Sequence, residues 1–261
     1  MSSPRRVVAG NWKMNHGPGA AREFAEALDL PISEDLDVVL FPPSLSFASL
    51  RASLEAKNAP VALGVQHVHH ETSGAFTGEV SAAMAAEAGA RYVLVGHSER
   101  RQIFGETDDQ VRRKVDAVFE AELVPVLCVG ETLGERKASR LEEVLGRQLG
   151  AVVSPGAIQE RMDAGQALIV AYEPVWAIGT GETATPDDAS QAHRFLRGRL
   201  REWTSPETAA RTPILYGGSV KPENAAELLS APEVDGVLVG GASLDPDSFS
   251  RIIAAVGPGT Q

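Results

Sequence analysis

Four polar side chains each follow a short apolar run of the sequence, and their types suit proton-transfer chemistry. Asn11 and Lys13 come after the first such run, His97 after the fourth and Glu173 after the sixth. They offer an amide, an ammonium, an imidazole and a carboxylate, which are complementary as donors, charge stabilisers and general acid–base groups. If the fold brings them together, the sequence predicts an active site.

Each of these residues also has an ordinary structural interpretation. Glu173 could be a solvated turn residue, His97 an N-cap for the segment that starts at Ser98, Lys13 a surface lysine and Asn11 a turn former. Taken singly these interpretations compete with the catalytic one. Four such residues at the ends of predicted strands favour a common site.

The segment after Glu173 has an unusual composition for a surface loop. Residues 174–181 read Pro-Val-Trp-Ala-Ile-Gly-Thr-Gly, apolar in the middle and glycine-rich at the end. A loop that buries Trp176 and Ile178 only when it closes over a ligand would have this character. We therefore expect a lid.

Two glycine-rich turns indicate a phosphate site. Gly217-Gly218-Ser219 follows the seventh apolar run, and Gly240-Gly241 follows the eighth. Backbone N–H groups can approach an anion closely where no side chain intervenes, and a helix start after Gly240 would direct further donors at it. In α/β barrels this region commonly holds a phosphate group.

The element pattern predicts an α/β fold: a single-domain (β/α)8 barrel over residues 1–261, with eight parallel strands and outer helices. Continuous apolar runs are typical of strands buried on both faces, and helix-period segments alternate with them. One helix stripe contains Val111, Val115, Val118 and Phe119, and later helices begin at Thr185-Pro186 and Asp245-Pro246. The eight predicted strands are Val7–Ala9, Val38–Phe41, Val61–Val65, Tyr92–Val95, Val124–Val129, Leu168–Tyr172, Ile214–Tyr216 and Val237–Val239.

Composition excludes several classes of function. The chain of 261 residues has a formal net charge of −11, which argues against nucleic acid, and no apolar stretch of membrane-spanning length. The start lacks a signal-peptide pattern and Cys128 is the only cysteine, so we expect a cytoplasmic protein without disulfides. No GxGxxG motif occurs, and we expect no cofactor. The segment 67–70, His-Val-His-His, lacks a full set of zinc ligands, so we expect no metal.

Four longer motifs resemble the triosephosphate isomerase family. They are residues 9–15, 96–101, 171–181 and 216–221, which occur in the family's order, and the resemblance runs from about Val7 to Ile253. The resemblance implies a cofactor-free TIM barrel of glycolysis and gluconeogenesis that interconverts two triose phosphates through an enediolate. At two positions the chain departs from the common pattern: His67 stands where many members have asparagine, and Glu182 where lysine is common.

The resemblance also implies roles for individual residues, in a family that is itself a standard example of a glutamate base beside a neutral histidine. Glu173 would move the proton between two carbons, neutral His97 would polarise the carbonyl, and Lys13 and Asn11 would stabilise the negative charge. The phosphate-binding residues implied are Gly179, Ser219, Gly240 and Gly241.

A further implication is assembly. The stretch Ser73–Glu79 resembles the family's interdigitating dimer loop, which would reach the partner subunit near Asn11 and Lys13. Its Phe76 and Thr77 lie between two glycines and form an apolar tip, which a partner usually covers. We therefore expect a homodimer.

Three other interpretations are open from the residues alone. A retaining glycosidase would use Glu173 with Glu131 or Glu99, although only 5% of the residues are aromatic for sugar stacking. A Schiff-base aldolase would use Lys13 as nucleophile. A non-catalytic phosphate-binding barrel would be expected to have a damaged catalytic set.

Overall fold

The protein is described by a computed structural model that covers residues 4–30, 35–154, 156–177 and 184–256. Eight strands form a closed barrel in which each strand pairs in parallel with the next and the eighth with the first. All eight predicted strands are confirmed, with small shifts at their ends. They are β1 Arg6–Asn11, β2 Leu36–Phe41, β3 Val61–Val65, β4 Tyr92–Val95, β5 Val124–Val129, β6 Ile169–Tyr172, β7 Ile214–Tyr216 and β8 Gly236–Val239.

Helices follow the strands and surround the barrel. Short 3₁₀ helices span Val175–Ala177 and Gly241–Leu244. The α-helices among the described residues are α1 Pro18–Ala27, α2 Ser44–Ala56, α3 Ala82–Glu87, α4 Ser98–Gln102, α5 Asp108–Glu120, α6 Leu133–Lys137, α7 Leu141–Val153, α8 Ala157–Asp163, α9 Pro186–Trp203, α10 Pro206–Arg211, α11 Ala225–Ser230 and α12 Pro246–Ala254.

The helix signals in the sequence are confirmed at the level of individual hydrogen bonds. At the start of α9 the Thr185 hydroxyl accepts from the backbone of Asp188, and the Asp188 carboxylate accepts from the backbone of Thr185. This reciprocal pair satisfies two donors that the helix itself leaves open. Asp245 caps α12 by accepting from the Ser248 backbone at 2.8 Å. The valine stripe of α5 is buried against the barrel.

Both faces of the strands are buried, as their continuous apolar runs predict. Alternate residues such as Val7, Ala9, Leu94 and Cys128 form a compact cluster inside the barrel. Their neighbours along each strand belong to a larger cluster that also contains the inward faces of the helices. Because side chains alternate across a strand, the two clusters are the inside and the outside of one sheet.

Two features bear on function without belonging to the site. None of the helices in the described residues is long and apolar enough to cross a membrane. Cys128 is fully buried inside the barrel as a free thiol, and burial raises its pKa well above the ordinary range.

Candidate active site

Parallel strands place the predicted site residues at one mouth of the barrel. Asn11 ends β1, His97 lies two residues after β4, and Glu173 directly follows β6. A cavity of about 250 Å³ opens at this carboxyl end of the strands. Gly179, the remaining predicted site residue, lies outside the described residues, as does Glu182. The predicted residues that line the cavity are Asn11, Lys13, His97, Glu173, Ser219, Gly240 and Gly241.

Glu173 is almost completely buried, at 2% exposure. Its backbone N–H continues the barrel ladder by donating to the Val129 carbonyl at 2.8 Å. A side chain on Gly130 would overlap the Glu173 carbonyl, so glycine at this position lets β5 lie close beside the site. The sequence analysis did not identify Gly130, because a single glycine after a strand looks like any tight turn.

The Glu173 carboxylate contacts the His97 ring and the start of α4. Its Oε1 lies 2.9 Å from His97 Nε2, and its Oε2 accepts from the Ser98 backbone N–H at 2.8 Å. Burial by itself raises the pKa of Glu173. The neighbouring His97, the Ser98 N–H and Lys13 together outweigh burial and lower that pKa below its ordinary value. The carboxylate is therefore held ionised in an almost dry site.

His97 is the N-cap of α4, and its two ring nitrogens face different partners. Nδ1 accepts from the Glu99 backbone N–H at 3.2 Å, which favours a neutral ring protonated at Nε2. Burial lowers the pKa of His97, but the Glu173 carboxylate raises it and the net direction is upward. A neutral His97 across the active pH range stays a prediction.

Lys13 stands in a left-handed backbone conformation, with φ of 51°, which is uncommon for a residue with a side chain. Two contacts hold its backbone there: its N–H donates to Asn11 Oδ1 at 3.0 Å, and its carbonyl accepts from Gln66 Nε2 at 2.8 Å. Its ammonium pairs with Glu99 at 2.6 Å. The sequence analysis missed Gln66, and it considered Glu99 only as part of a glycosidase pair.

His67, one of the two departures from the family pattern, does not support Lys13. Its Nε2 lies 2.7 Å from a Glu79 oxygen and its Nδ1 lies 3.3 Å from the Lys114 ammonium. Gln66 supplies the support that Lys13 receives from this loop. Within the part of the chain that the structure describes, no three His, Cys, Asp or Glu side chains group to hold a metal ion.

The two glycine-rich turns differ in their surroundings. A side chain on Gly217 would press against Glu173, and one on Gly218 would overlap the Tyr216 hydroxyl, so this pair makes room for other parts of the site. A Cβ on Gly241 would meet no atom within 4 Å, and one on Gly240 would only touch Lys13 at 3.8 Å. The second pair borders open cavity space, where an anion can reach backbone donors at the start of a 3₁₀ helix.

Comparison with known proteins agrees with this geometry. The sequence profile of the family described as triosephosphate isomerase matches residues 6–256.

The chain belongs to the triosephosphate isomerase family.

Curated relatives carry the same name at high identity over nearly their whole length. The protein named triosephosphate isomerase from Halorhodospira halophila is 50% identical, covering 98% of this chain and 99% of its own. Those from Alkalilimnicola ehrlichii and Moorella thermoacetica are each 49% identical, covering 97% and 95% of this chain and 98% of their own. Identity at this level is spread along the full barrel.

In this member of the triosephosphate isomerase family, the side chain of Glu131 bonds to other side chains of the protein and does not face the cavity. It is fully buried and accepts hydrogen bonds from the Tyr172 hydroxyl at 3.1 Å and the Trp176 indole at 2.8 Å. Burial raises its pKa. Glu131 does not line the cavity, and Glu99 pairs with Lys13, so neither carboxylate is placed as a glycosidase partner of Glu173.

The contact between Glu173 and His97 predicts a measurable coupling. In Glu173→Gln the carboxylate that raises the pKa of His97 is gone, while burial and Lys13 still lower it. We expect the nitrogen resonances of His97 to titrate above about pH 6.5 in the unliganded wild type and below that value in the variant. His97→Asn would assign the resonances by their loss. An unchanged midpoint would show that Glu173 does not control the ring.

Proposed function

We propose that the chain interconverts D-glyceraldehyde 3-phosphate and dihydroxyacetone phosphate by proton transfer at Glu173. The family membership and the names of the relatives support the reaction. The observation that carries the assignment is the buried Glu173 carboxylate, 2.9 Å from His97 Nε2 and in the same cavity as Lys13. A coupled assay with glyceraldehyde 3-phosphate as substrate tests it directly.

In the proposed reaction Glu173 takes a proton from the carbon next to the substrate carbonyl. The electron pair of the broken C–H bond forms a carbon–carbon double bond, and the carbonyl oxygen becomes an enediolate oxygen. His97, protonated at Nε2, donates to that oxygen and takes a proton from the neighbouring hydroxyl. Glu173 then returns its proton to the second carbon, which completes the exchange of carbonyl and hydroxyl with no net change in atoms or charge.

Lys13 and Asn11 have the chemistry to stabilise the charge that develops. A fixed ammonium and a buried amide donor at the cavity wall interact more strongly with an oxyanion than water-exposed groups would. Asn11 and Gln66 hold the left-handed backbone of Lys13, and this fixes the point from which the Lys13 side chain extends. The Lys13 ammonium is paired with Glu99 at 2.6 Å, whereas a Schiff-base aldolase would need this nitrogen free to attack a carbonyl carbon.

Replacing the base tests the central assignment. Glu173→Gln keeps the shape of the side chain but cannot accept a proton, so kcat should fall by about 10²–10⁴-fold or more. Binding of a three-carbon phosphate inhibitor should persist, because the phosphate contacts are elsewhere in the cavity. Glu87→Gln is the control, since it makes the same substitution at an exposed glutamate that does not line the cavity. Retention of more than about a tenth of wild-type kcat in Glu173→Gln would overturn the role.

Phosphate binding is proposed to rest on backbone donors of Ser219, Gly240 and Gly241, with Gly179 of the expected lid. The chain is acidic overall, and among the described residues that line the cavity Lys13 is the one lysine or arginine. Backbone N–H groups are therefore among the other donors available to the phosphate. The cavity of about 250 Å³ is small, as a three-carbon phosphate requires.

A side chain at Gly241 should block that approach without disturbing the fold. A Cβ there meets no atom within 4 Å, so Gly241→Val should fold normally. Affinity for a three-carbon phosphate inhibitor should drop by about tenfold or more, since hydrogen bonds to a charged group contribute about 1.5–3 kcal/mol. Titration calorimetry measures the change. Gly198→Val, at another open position, serves as control. Equal affinity in both variants would exclude the backbone assignment.

We also propose that the active form is a homodimer assembled through Ser73–Glu79. Several large apolar side chains are exposed around the mouth: Met14 at 96%, Phe104 at 66% and Phe76 at 42%. Met14 and Phe104 line a cavity of about 230 Å³ together with Lys13 and His97. A second copy of the loop, inserted there, would cover these side chains and brace Lys13, as in a closed two-fold pair.

Charge at the loop tip should separate the subunits. The double variant Phe76→Glu with Thr77→Glu should be a monomer by light scattering with unchanged circular dichroism. Its kcat should fall by about a hundredfold, because small displacements of catalytic groups have effects of that size. Leu133→Glu alters an exposed leucine on α6 and should leave dimer and activity intact. A fully active monomer would contradict the proposal.

A cytoplasmic location and one domain spanning residues 1–261 complete the proposal. The buried free thiol of Cys128 suits a reducing compartment. The closed barrel draws its strands from Arg6 to Val239, so an independent unit would have to lie outside that span.

A further inference from the structure

A second cavity lies at the end of the barrel opposite the active site. Its volume of about 340 Å³ exceeds the roughly 250 Å³ of the catalytic mouth. Its lining includes Tyr92, Val124 and Ile169, the first residues of β4, β5 and β6, and Arg5, which precedes β1. The catalytic residues are at the carboxyl ends of the same strands. The packed barrel interior therefore separates the two cavities.

The rim of this cavity is positively charged on an acidic chain. Three arginines line it, Arg5, Arg91 and Arg211, against one carboxylate, Asp37. Arg5 is compensated, since its guanidinium lies 2.9 Å from one Asp37 oxygen and donates to the other at 3.1 Å. The other two arginines have no carboxylate within 4 Å among the described residues. A net charge of −11 makes such a local excess of positive charge uncommon here.

Five arginines have no carboxylate partner in the described part of the chain, and two of them meet at this cavity. Arg91 lies over the ring of Tyr92, with its guanidinium carbon 5.6 Å from the ring centre. Arg211 donates only to the Met162 carbonyl. Most other arginines pair with an acid. Those without a carboxylate partner among the described residues are Arg6, Arg22, Arg91, Arg194 and Arg211.

The floor of the cavity is apolar and contains one unused donor. Val7, Leu168 and Ile169 are buried there, and the Tyr92 ring lies among them at 3% exposure. The Tyr92 hydroxyl makes no hydrogen bond to another described residue. Burial raises its pKa, with Asp37 adding to the effect, so the hydroxyl keeps its proton. An aromatic surface, a hydroxyl donor and two guanidinium groups without a carboxylate partner among the described residues thus line one cavity.

We propose that this cavity binds a small organic anion with a flat apolar body, of the aromatic carboxylate class. The ring of the ligand would lie on the floor beside Tyr92, as aromatic pairs do. Its carboxylate would face the rim, where the planar guanidinium groups of Arg91 and Arg211 can each donate two hydrogen bonds. The volume lies at the lower end of the range for small-molecule sites. The site is distinct from the isomerase reaction.

Titration with 2-naphthoate, followed by its fluorescence, tests the proposal on the full-length protein. Saturating glycerol 3-phosphate keeps the probe out of the catalytic cavity. The test variant is Arg91→Gln with Arg211→Gln. Its matched control is Arg22→Gln with Arg194→Gln, which removes the same charge from two other arginines that lack an acid partner. Both variants should retain wild-type isomerase activity, because none of the four residues lines the catalytic cavity.

The proposal expects saturable binding of 2-naphthoate to the wild type and to the control variant with the same affinity. The dissociation constant should rise by about tenfold or more in Arg91→Gln with Arg211→Gln, from the loss of charge-assisted hydrogen bonds. Tyr92→Phe should weaken binding less, since the ring remains. Either of two results would overturn the proposal: no saturable binding to the wild type, or an equal loss of affinity in the control variant. If the double variant loses circular dichroism, Arg91→Gln alone replaces it.

Discussion

The site depends on keeping one ionised carboxylate almost out of water. Glu173 is 2% exposed, and removal of a charge from water is costly unless nearby groups compensate for it. Here a histidine ring, a backbone N–H at the start of α4 and the Lys13 ammonium provide that compensation. The histidine and the N–H follow β4, Lys13 follows β1, and Glu173 itself follows β6. The closed barrel is what holds strands β1, β4 and β6 in register so that these groups meet.

The same contacts bear on the proposed role of Glu173. Both Glu173 oxygens are occupied, one by His97 and one by Ser98, so the proposed role of Glu173 as proton acceptor requires a substrate to replace at least one of these partners. When the carboxylate turns away, His97 loses the neighbour that raises its pKa, while burial continues to lower it. If Glu173 is the proton acceptor, as proposed, one change in its side-chain position would free the carboxylate and also remove the contact that raises the pKa of His97.

The sequence predicts the fold and the composition of the site well, and its internal contacts poorly. Buried strands and capped helices leave local signals, so all eight strands and the capping box at Thr185 can be read from residue order. Asn11, Lys13, His97 and Glu173 can be placed at one mouth because parallel strands share an end. The role of Gly130 and the support of Lys13 by Gln66 depend on distances between segments far apart in the chain. No local pattern records those distances.

The buried thiol of Cys128 allows the opening rate of the barrel to be measured by chemical labelling. A thiol reagent cannot reach this sulfur while the eight-stranded ladder is closed, and its reaction requires thiolate, which burial disfavours further. With excess reagent at mildly alkaline pH, the labelling rate should approach the rate at which the sheet opens. Because no other cysteine competes, the native chain reports its own kinetic stability without an introduced probe. A ligand that binds at the barrel mouth and slows the opening of the barrel would lower the labelling rate of Cys128 without contacting it.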